Sequence, residues 1–386
     1  MIHSILDNDL YKFTMQLAVI KKFPRAKVRY EFINRGKDPF PEGFAEELRK
    51  QVYAMQNLHI TADEKAFLES LYFLEPTYID FLCGYRYNPG EVGIVQRGNE
   101  LSVSIEGYWY RTILWEVPLM AMISELYFKM TKQTPHSDNE VADVARKKAV
   151  KYKMLGVQFA DFGTRRRYSH HVHDLVVQTL KSEGGKNFIG SSNVHFAHKY
   201  GVKAIGTHAH EWFMYHAAQY GFKSANKIAL ENWVNVFRGD LGIALSDTFT
   251  TEAFFRAYDT KFAKLFDGVR HDSGDALEFA DKTIAHYQSL RIDPTSKSIV
   301  FSDGLNPEMV EKIEKHCRGR IRTSYGIGTN FTNDVGVKPM NIVIKIVAAK
   351  AEGQEYVPTV KLSDAPGKYT GDTDAVDLAK RVLGIK

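Results

Sequence analysis

Apolar and polar positions change rhythm near the middle of the chain. Early on, Lys27-Val28-Arg29-Tyr30-Glu31-Phe32-Ile33-Asn34-Arg35 alternates with a period of two and predicts a strand, whereas Ala45 to Gln56 has the spacing of an amphipathic helix. Val92 to Val95 and Leu101 to Tyr108 alternate on either side of Arg97-Gly98-Asn99-Glu100 and predict a hairpin. A long apolar helix containing Pro118 is expected from Thr112 to Met130, and the polar stretch Thr131 to Asn139, with Pro135, marks the expected domain boundary. The first third therefore reads as α+β, without a repeat.

Beyond about residue 155, short apolar runs end abruptly in small or polar residues, each leading into a helical segment. Val157-Gln158-Phe159-Ala160 runs into Asp161-Phe162-Gly163, Phe188-Ile189 into Gly190-Ser191-Ser192-Asn193, and Val202-Lys203-Ala204-Ile205 into Gly206-Thr207-His208-Ala209-His210. Gly242-Ile243-Ala244-Leu245 runs into Ser246-Asp247, and Gly268-Val269 into Arg270-His271-Asp272-Ser273-Gly274-Asp275. Ser298-Ile299-Val300-Phe301 into Ser302-Asp303-Gly304, and Thr323-Ser324-Tyr325 into Gly326-Ile327-Gly328-Thr329, complete seven such units. This spacing predicts a parallel α/β barrel or barrel-like sheet, in which chemistry gathers at the carboxyl ends of the strands.

Composition narrows the function classes. With 386 residues, 44% apolar and 25% charged, the chain is long enough for two lobes and is not of disordered or fibrous type. Two cysteines, Cys83 and Cys317, exclude a disulfide scaffold and favour a reducing, cytoplasmic compartment. No secretory pattern opens the sequence, and no run approaches the roughly 18 apolar residues of a membrane span. The net charge of +5 suits anionic small molecules better than nucleic acid.

The strand ends carry the candidate chemistry. Ser302-Asp303-Gly304 and Gly326-Ile327-Gly328-Thr329-Asn330 are glycine turns whose backbone N–H groups can cradle a monophosphate, although either could be a turn without a ligand. Asp247 and Asp272 end adjacent strands, where carboxylates can bond ribose hydroxyls or stabilise an oxocarbenium ion; a helix cap or a buried ion pair is the alternative for each. Asp161-Phe162-Gly163-Thr164-Arg165-Arg166-Arg167 offers a ring to stack on a flat base and guanidinium groups for a diphosphate, with at least one arginine expected to face away. The zinc signatures of paired cysteines or a helical His-Glu-x-x-His are absent. A histidine at a phosphate-lined mouth is better placed as a phosphoryl acceptor, while His170, His171 and His173 suit structural roles.

Several segments, in this order, resemble the bacterial nicotinate phosphoribosyltransferases over nearly the whole chain. They are Leu6 to Lys12, Ile113-Leu114-Trp115-Glu116-Val117-Pro118-Leu119, Asp161 to Arg167, Gly206-Thr207-His208-Ala209-His210-Glu211-Trp212, Leu265 to Asp275, Ser324-Tyr325-Gly326-Ile327-Gly328-Thr329 and Pro339-Met340-Asn341-Ile342-Val343-Ile344-Lys345. The resemblance implies an irregular TIM-like α/β barrel of type II phosphoribosyltransferase kind over residues 136–335. It also implies an N-terminal α+β domain over 1–135 and a C-terminal segment over 336–386 that packs back on the N-terminal domain. The implied reaction takes nicotinate, 5-phosphoribosyl 1-diphosphate, ATP and water to nicotinate mononucleotide, diphosphate, ADP and phosphate, with Mg2+ accompanying the diphosphate, as the first step of NAD salvage from nicotinate.

By that resemblance His210 is the transiently phosphorylated histidine, since it is the histidine of the Gly-Thr-x-Ala-His-Glu motif, and His208 stands at a variable position. Tyr11 and Phe162 would sandwich the pyridine ring, with Arg165 near the ring carboxylate or the diphosphate. Asp247, Asp272 and Arg270 would hold the ribose; Asp303, Gly304, Gly328 and Thr329 would cradle the 5-phosphate. Thr207 joins the substrate-binding set, and Lys345 is assigned to the diphosphate or the ATP phosphates. The related nicotinamide enzymes have an aspartate where this chain has Ser192; a hydroxyl there can donate to nicotinate, whereas a carboxylate would repel it. A nicotinamide-specific enzyme on the same scaffold and a non-catalytic nucleic-acid binder using Arg165 to Arg167 are the competing readings. The oligomeric state, monomer or homodimer, is open.

Overall fold

The protein is described by a computed structural model over residues 1–365 and 369–385. Its contacts divide it into two compact units: Met1–Leu17, Arg29–Gly206 and Ile327–Lys345 form the first, and Ala18–Val28, Thr207–Gly326 and Ile346–Lys386 the second. The expected boundary near residue 135 falls inside the first unit. Within the expected C-terminal segment, residues up to Lys345 fall in the first unit and Ile346–Lys386 in the second.

In the first unit the early patterns become β1 (Lys27–Asn34, from Arg29 onward), β2 (Val92–Arg97) and β3 (Glu100–Tyr108). β2 and β3 form an antiparallel hairpin whose register, from Val92 opposite Ile105 to Arg97 opposite Glu100, leaves Gly98-Asn99 as a two-residue turn. The apolar stretch expected as one helix is broken into Trp109–Thr112, a tight turn over Ile113–Trp115, and helix Glu116–Met130. Pro118 sits in the first turn of the last piece, where its missing N–H costs no helical bond. Parallel strands β4 (Phe159–Asp161), β5 (Phe188–Ser191) and β6 (Lys203–Ala204) follow, β4 pairing β5 and β5 pairing β6. Trp109, Trp115, Tyr87 and Tyr152 are among the largest fully buried side chains of this unit.

The second unit holds β7 (Ile243–Leu245), β8 (Gly268–His271), β9 (Ser298–Phe301) and β10 (Arg322–Ile327, up to Gly326), paired in parallel in that order. β11 (Ile342–Lys350) contributes its second half, which pairs antiparallel with β12 (Val357–Pro358). Helices His210–Tyr220 and Phe222–Phe237 make a hairpin around Trp212 and Trp233, the Trp212 indole donating to the Ala229 carbonyl at 3.0 Å. All seven parallel strands anticipated after residue 155 are present, and the fold is α/β. No helix among the described residues is long and apolar enough to cross a membrane.

Candidate functional site

In the second unit, β7 and β8 are paired with Leu245 opposite Arg270, so the residues that follow them emerge side by side. Asp247 is buried and accepts a hydrogen bond from the Ser273 hydroxyl, which in turn accepts one from Ser363 at 2.8 Å. Asp272 accepts from Ser302 Oγ at 2.9 Å and lies 3.4 Å from the Arg270 guanidinium. Burial alone would raise its pKa, but Arg270, the adjacent His210 ring, and Lys361 outweigh burial and hold the carboxyl well below the usual range. Asp272 is therefore ionised throughout the neutral range.

His210 opens helix His210–Tyr220, at the end where backbone N–H groups favour anions. Its Nδ1 is 3.0 Å from Thr248 Oγ1, and its Nε2 is 2.9 Å from Asp272 Oδ2, 2.9 Å from Lys361 Nζ and 3.9 Å from Asp247 Oδ1. Burial, followed by the charge of Lys361, pushes its pKa down to about 4 against the opposing pull of Asp247 and Asp272. At neutral pH the ring is thus uncharged and carries a lone pair. His208 is fully buried between Trp233 and Phe213, with its pKa pushed down to about 3 by burial and then Arg270. It is a core residue.

The ligand atoms of His210, Asp247 and Asp272 lie within 4.8 Å of one another, close enough to suggest a cation site. The set does not fit a resident Mg2+, which prefers an all-oxygen shell: one donor is imidazole nitrogen, and the Lys361 ammonium is already within hydrogen-bond reach of it.

The first unit carries a second group of candidates. Asp161, at the end of β4, accepts from the Gly163 N–H at 2.9 Å, from Ser191 Oγ at 2.6 Å and pairs with His173 Nε2 at 2.7 Å, which shapes the turn carrying Phe162. A Cβ on Gly163 would lie 2.3 Å from Thr332 Cγ2, so only glycine lets that turn close. Phe162 is half-buried, and its N–H donates to the Ile327 carbonyl, next to Gly328, at 2.8 Å. Tyr11 is buried, and the close approach of its backbone is what Gly206 permits: a Cβ there would meet Tyr11 N at 2.9 Å.

Arg165 and Lys345 are brought together around Glu116. That carboxylate is 2.5 Å from Lys12 Nζ and 4.0 Å from the Arg165 guanidinium. Burial opposes its ionisation, but Lys12, Lys345 and Arg165 overcome burial and lower its pKa. Three cations around one anion leave a positive excess suited to a phosphate or carboxylate ligand. The three consecutive arginines have separate fates: Arg165 and Arg166 are half-buried, while Arg167 is fully buried and holds Asp7 through two bonds of 2.7 and 2.8 Å. Arg167 is neither a surface charge nor a ligand group.

Ser192 is buried, and its hydroxyl lies 2.8 Å from Asp9 Oδ1, to which it donates. Burial raises the pKa of Asp9, with Arg165, Ser192 and Thr164 working against the rise. The hydroxyl hydrogen expected to reach nicotinate is therefore directed at Asp9. Of the remaining candidates, Thr207 is half-buried in the loop before His210, Asp303 and Gly304 form the turn after β9 with Gly304 at a left-handed φ of 59°, and Thr329 opens the short helix Thr329–Thr332. Asp9, Glu116, Thr248 and Lys361 were not singled out from sequence. The first two lie inside segments that carried the resemblance, whereas Lys361 lies outside all of them.

The chain matches the N-terminal domain model of the nicotinate phosphoribosyltransferase family over residues 6–124 and the family's main model over 157–386. It is 61% identical over 386 residues to a nicotinate phosphoribosyltransferase of Chromohalobacter salexigens, covering 100% of this chain and 99% of the relative. It is 50% identical to one of Desulforapulum autotrophicum, covering 99% of each. The crystal structure of the nicotinate phosphoribosyltransferase from Porphyromonas gingivalis superposes with a TM-score of 0.98 at 46% identity, with 100% of both chains covered. That from Vibrio cholerae gives 0.93 at 35% identity, covering 100% of this chain and 95% of the other. The strand ends that gather His210, Asp247 and Asp272 are thus part of a fold shared over its full length, and the chain belongs to the nicotinate phosphoribosyltransferase family.

Proposed function

We propose that this protein transfers the phosphoribosyl group of 5-phosphoribosyl 1-diphosphate to nicotinate, giving nicotinate mononucleotide and diphosphate, and that ATP drives the transfer through a phosphate carried on His210. The reaction is then the first step of NAD salvage from nicotinate. The observation that carries the reading is the placement of His210: an imidazole at a helix N-terminus, bordered by two aspartates and a lysine. A neutral ring is the nucleophilic form, and a helix N-terminus stabilises the dianionic group it would acquire.

Asp272 and Asp247 face the ribosyl carbon as diphosphate departs and positive charge develops there, and Arg270 fixes Asp272. The turn at Asp303-Gly304 and the glycine and threonine at 328 and 329 serve the 5-phosphate, with Thr207 among the substrate contacts. Tyr11 and Phe162 hold the pyridine ring. Arg165 and Lys345, with Lys12, attract the anionic groups of the substrates. Mg2+ arrives with the diphosphate rather than as a resident of the His210 cluster. Phosphorylation adds about −1.5 to −2 charges beside Arg270 and Lys361, enough to reorganise them and change substrate affinity without ATP touching nicotinate.

Base choice follows from the buried Ser192–Asp9 pair. Ser192→Asp would press a second carboxylate against Asp9 and against the carboxylate of nicotinate. In a competition assay between nicotinate and nicotinamide, the variant's nicotinate efficiency should fall at least about tenfold, roughly 1.4 kcal/mol, and its nicotinamide-to-nicotinate ratio should rise. An unchanged ratio removes Ser192 from the ring pocket, and a wild-type preference for nicotinamide overturns the assignment of the base.

A further inference from the structure

We infer that Lys361 is the positioning residue that gives His210 its nucleophilic tautomer, its ammonium filling the place that the His210, Asp247 and Asp272 cluster would offer to a metal cation. The inference rests on the phosphohistidine reading above and extends it to a residue outside the motifs that support that reading.

Nε2 of His210 has two neighbours at 2.9 Å that make opposite demands. Asp272 Oδ2 can only accept, so it asks for an N–H. Lys361 Nζ can only donate, so it asks for a lone pair. A neutral ring has one proton and satisfies one of them. When the proton is on Nδ1, it donates to Thr248 Oγ1 at 3.0 Å and Nε2 accepts from Lys361. When it is on Nε2, it donates to Asp272, and the lone pair turns towards Thr248, away from the carboxylates.

The surroundings favour the first arrangement. Ser302 Oγ and Arg270 both hold the other Asp272 oxygen, Oδ1, so the carboxylate stays anchored in either arrangement. Lys361 is buried, and its ammonium is also 3.7 Å from Asp247 Oδ2, so moving it away would leave a charge unpaired in the interior. Its backbone is bonded to Thr370 in both directions, at 2.9 and 2.8 Å. The next residue, Leu362, donates its N–H at 2.8 Å to the carbonyl of Thr248, whose hydroxyl meets Nδ1. One short stretch of backbone thus sets the groups that meet both ring nitrogens.

The covalent step then balances without moving a proton. The Nε2 lone pair attacks the γ-phosphorus of ATP, the Nε2–P bond forms, and the bond from that phosphorus to the bridging oxygen breaks, its electron pair leaving on ADP. The proton stays on Nδ1, hydrogen-bonded to Thr248 Oγ1. The ring becomes positive, and Asp247, 3.9 Å from Nε2, offsets the charge. The Lys361 ammonium, released from the lone pair, donates to a phosphoryl oxygen.

The test is 15N NMR of the full-length protein labelled at histidine, with the His210 signals assigned from His210→Asn, run alongside labelling by γ-32P ATP. In wild type, Nε2 should show the shift of a nitrogen bearing a lone pair and Nδ1 that of an N–H. In Lys361→Met the two should exchange, and the rate of phosphoenzyme formation should fall about tenfold or more. Lys361→Arg, which keeps a charged donor, should restore the wild-type tautomer. An Nε2–H tautomer in wild type overturns the inference without recourse to any variant, as does a Lys361→Met protein that keeps both the wild-type tautomer and the labelling rate. If wild type makes nicotinate mononucleotide but takes no label from ATP, the phosphohistidine reading fails, and the tautomer measurement still decides the placement of Lys361.

Discussion

Asp272→Asn is expected to lower kcat for phosphoribosyl transfer by about two to three orders of magnitude, the usual loss when a preorganised electrostatic group is removed. The amide keeps the shape of the carboxyl and can still accept from Ser302, but it removes the negative charge that Arg270, His210 and Lys361 hold in place. A charge matched to a developing cation contributes little before the glycosidic bond stretches, so the loss falls on kcat and KM moves less. Phe162→Ala should behave in the opposite way. It deletes a stacking surface present before and during reaction, so the nicotinate KM rises with a smaller change in kcat. Steady-state kinetics of both variants at saturating ATP separates the roles. An Asp272→Asn effect confined to KM, or a Phe162→Ala effect confined to kcat, contradicts them.

A second large effect should appear in stability below pH 6.5. His208, His210 and His216 are fully buried, and burial is the leading cause of the fall of their pKa values to about 3, 4 and 4. Each is lower in the folded chain than in the unfolded one, so the unfolded state takes up protons first as pH falls. The stabilisation is complete above the unfolded value near 6.5 and is lost progressively towards pH 4. Each such proton contributes a slope of about 1.4 kcal/mol per pH unit through that window, and His170, lowered to about 3 chiefly by burial, adds to the three. The depressed carboxylates, such as Asp272 and Glu116, titrate below it. Denaturant unfolding from pH 8 to pH 5 measures the slope. His208→Phe, which removes one of these groups, should flatten it by about 1.4 kcal/mol per pH unit; a stability independent of pH above 5 contradicts this placement of the histidines.

How far the sequence disclosed the site depended on whether a residue's partners lay in the same local pattern. The seven apolar runs ending in small or polar residues each correspond to a strand, because a parallel strand buried on both faces leaves a short, plain signal. Asp247 and Asp272 could be paired in advance, since adjacent parallel strands deliver their ends to one side. Lys361 gave no such signal. It stands 151 residues from His210 in a polar stretch without a motif, and only the folded backbone brings the two to 2.9 Å. The arginine run shows a related limit: at least one of the three is expected to face away, but only the fold shows that it is Arg167, committed to Asp7, 160 residues away. The sequence shows Ser192 to be a hydroxyl, but the direction of that hydroxyl is set by Asp9, 183 residues away. Chemistry confined to one strand end was legible; chemistry completed by a distant side chain was not.

The most direct test of the account is to incubate the protein with γ-labelled ATP and locate the acid-labile, base-stable label by peptide mapping. Label is expected on His210, none in His210→Ala, and wild-type labelling in a variant altered only at His208. The His210→Ala protein should also lose ATP coupling while keeping some uncoupled transfer of the phosphoribosyl group. Normal labelling of His210→Ala, or label recovered on another residue, would contradict it.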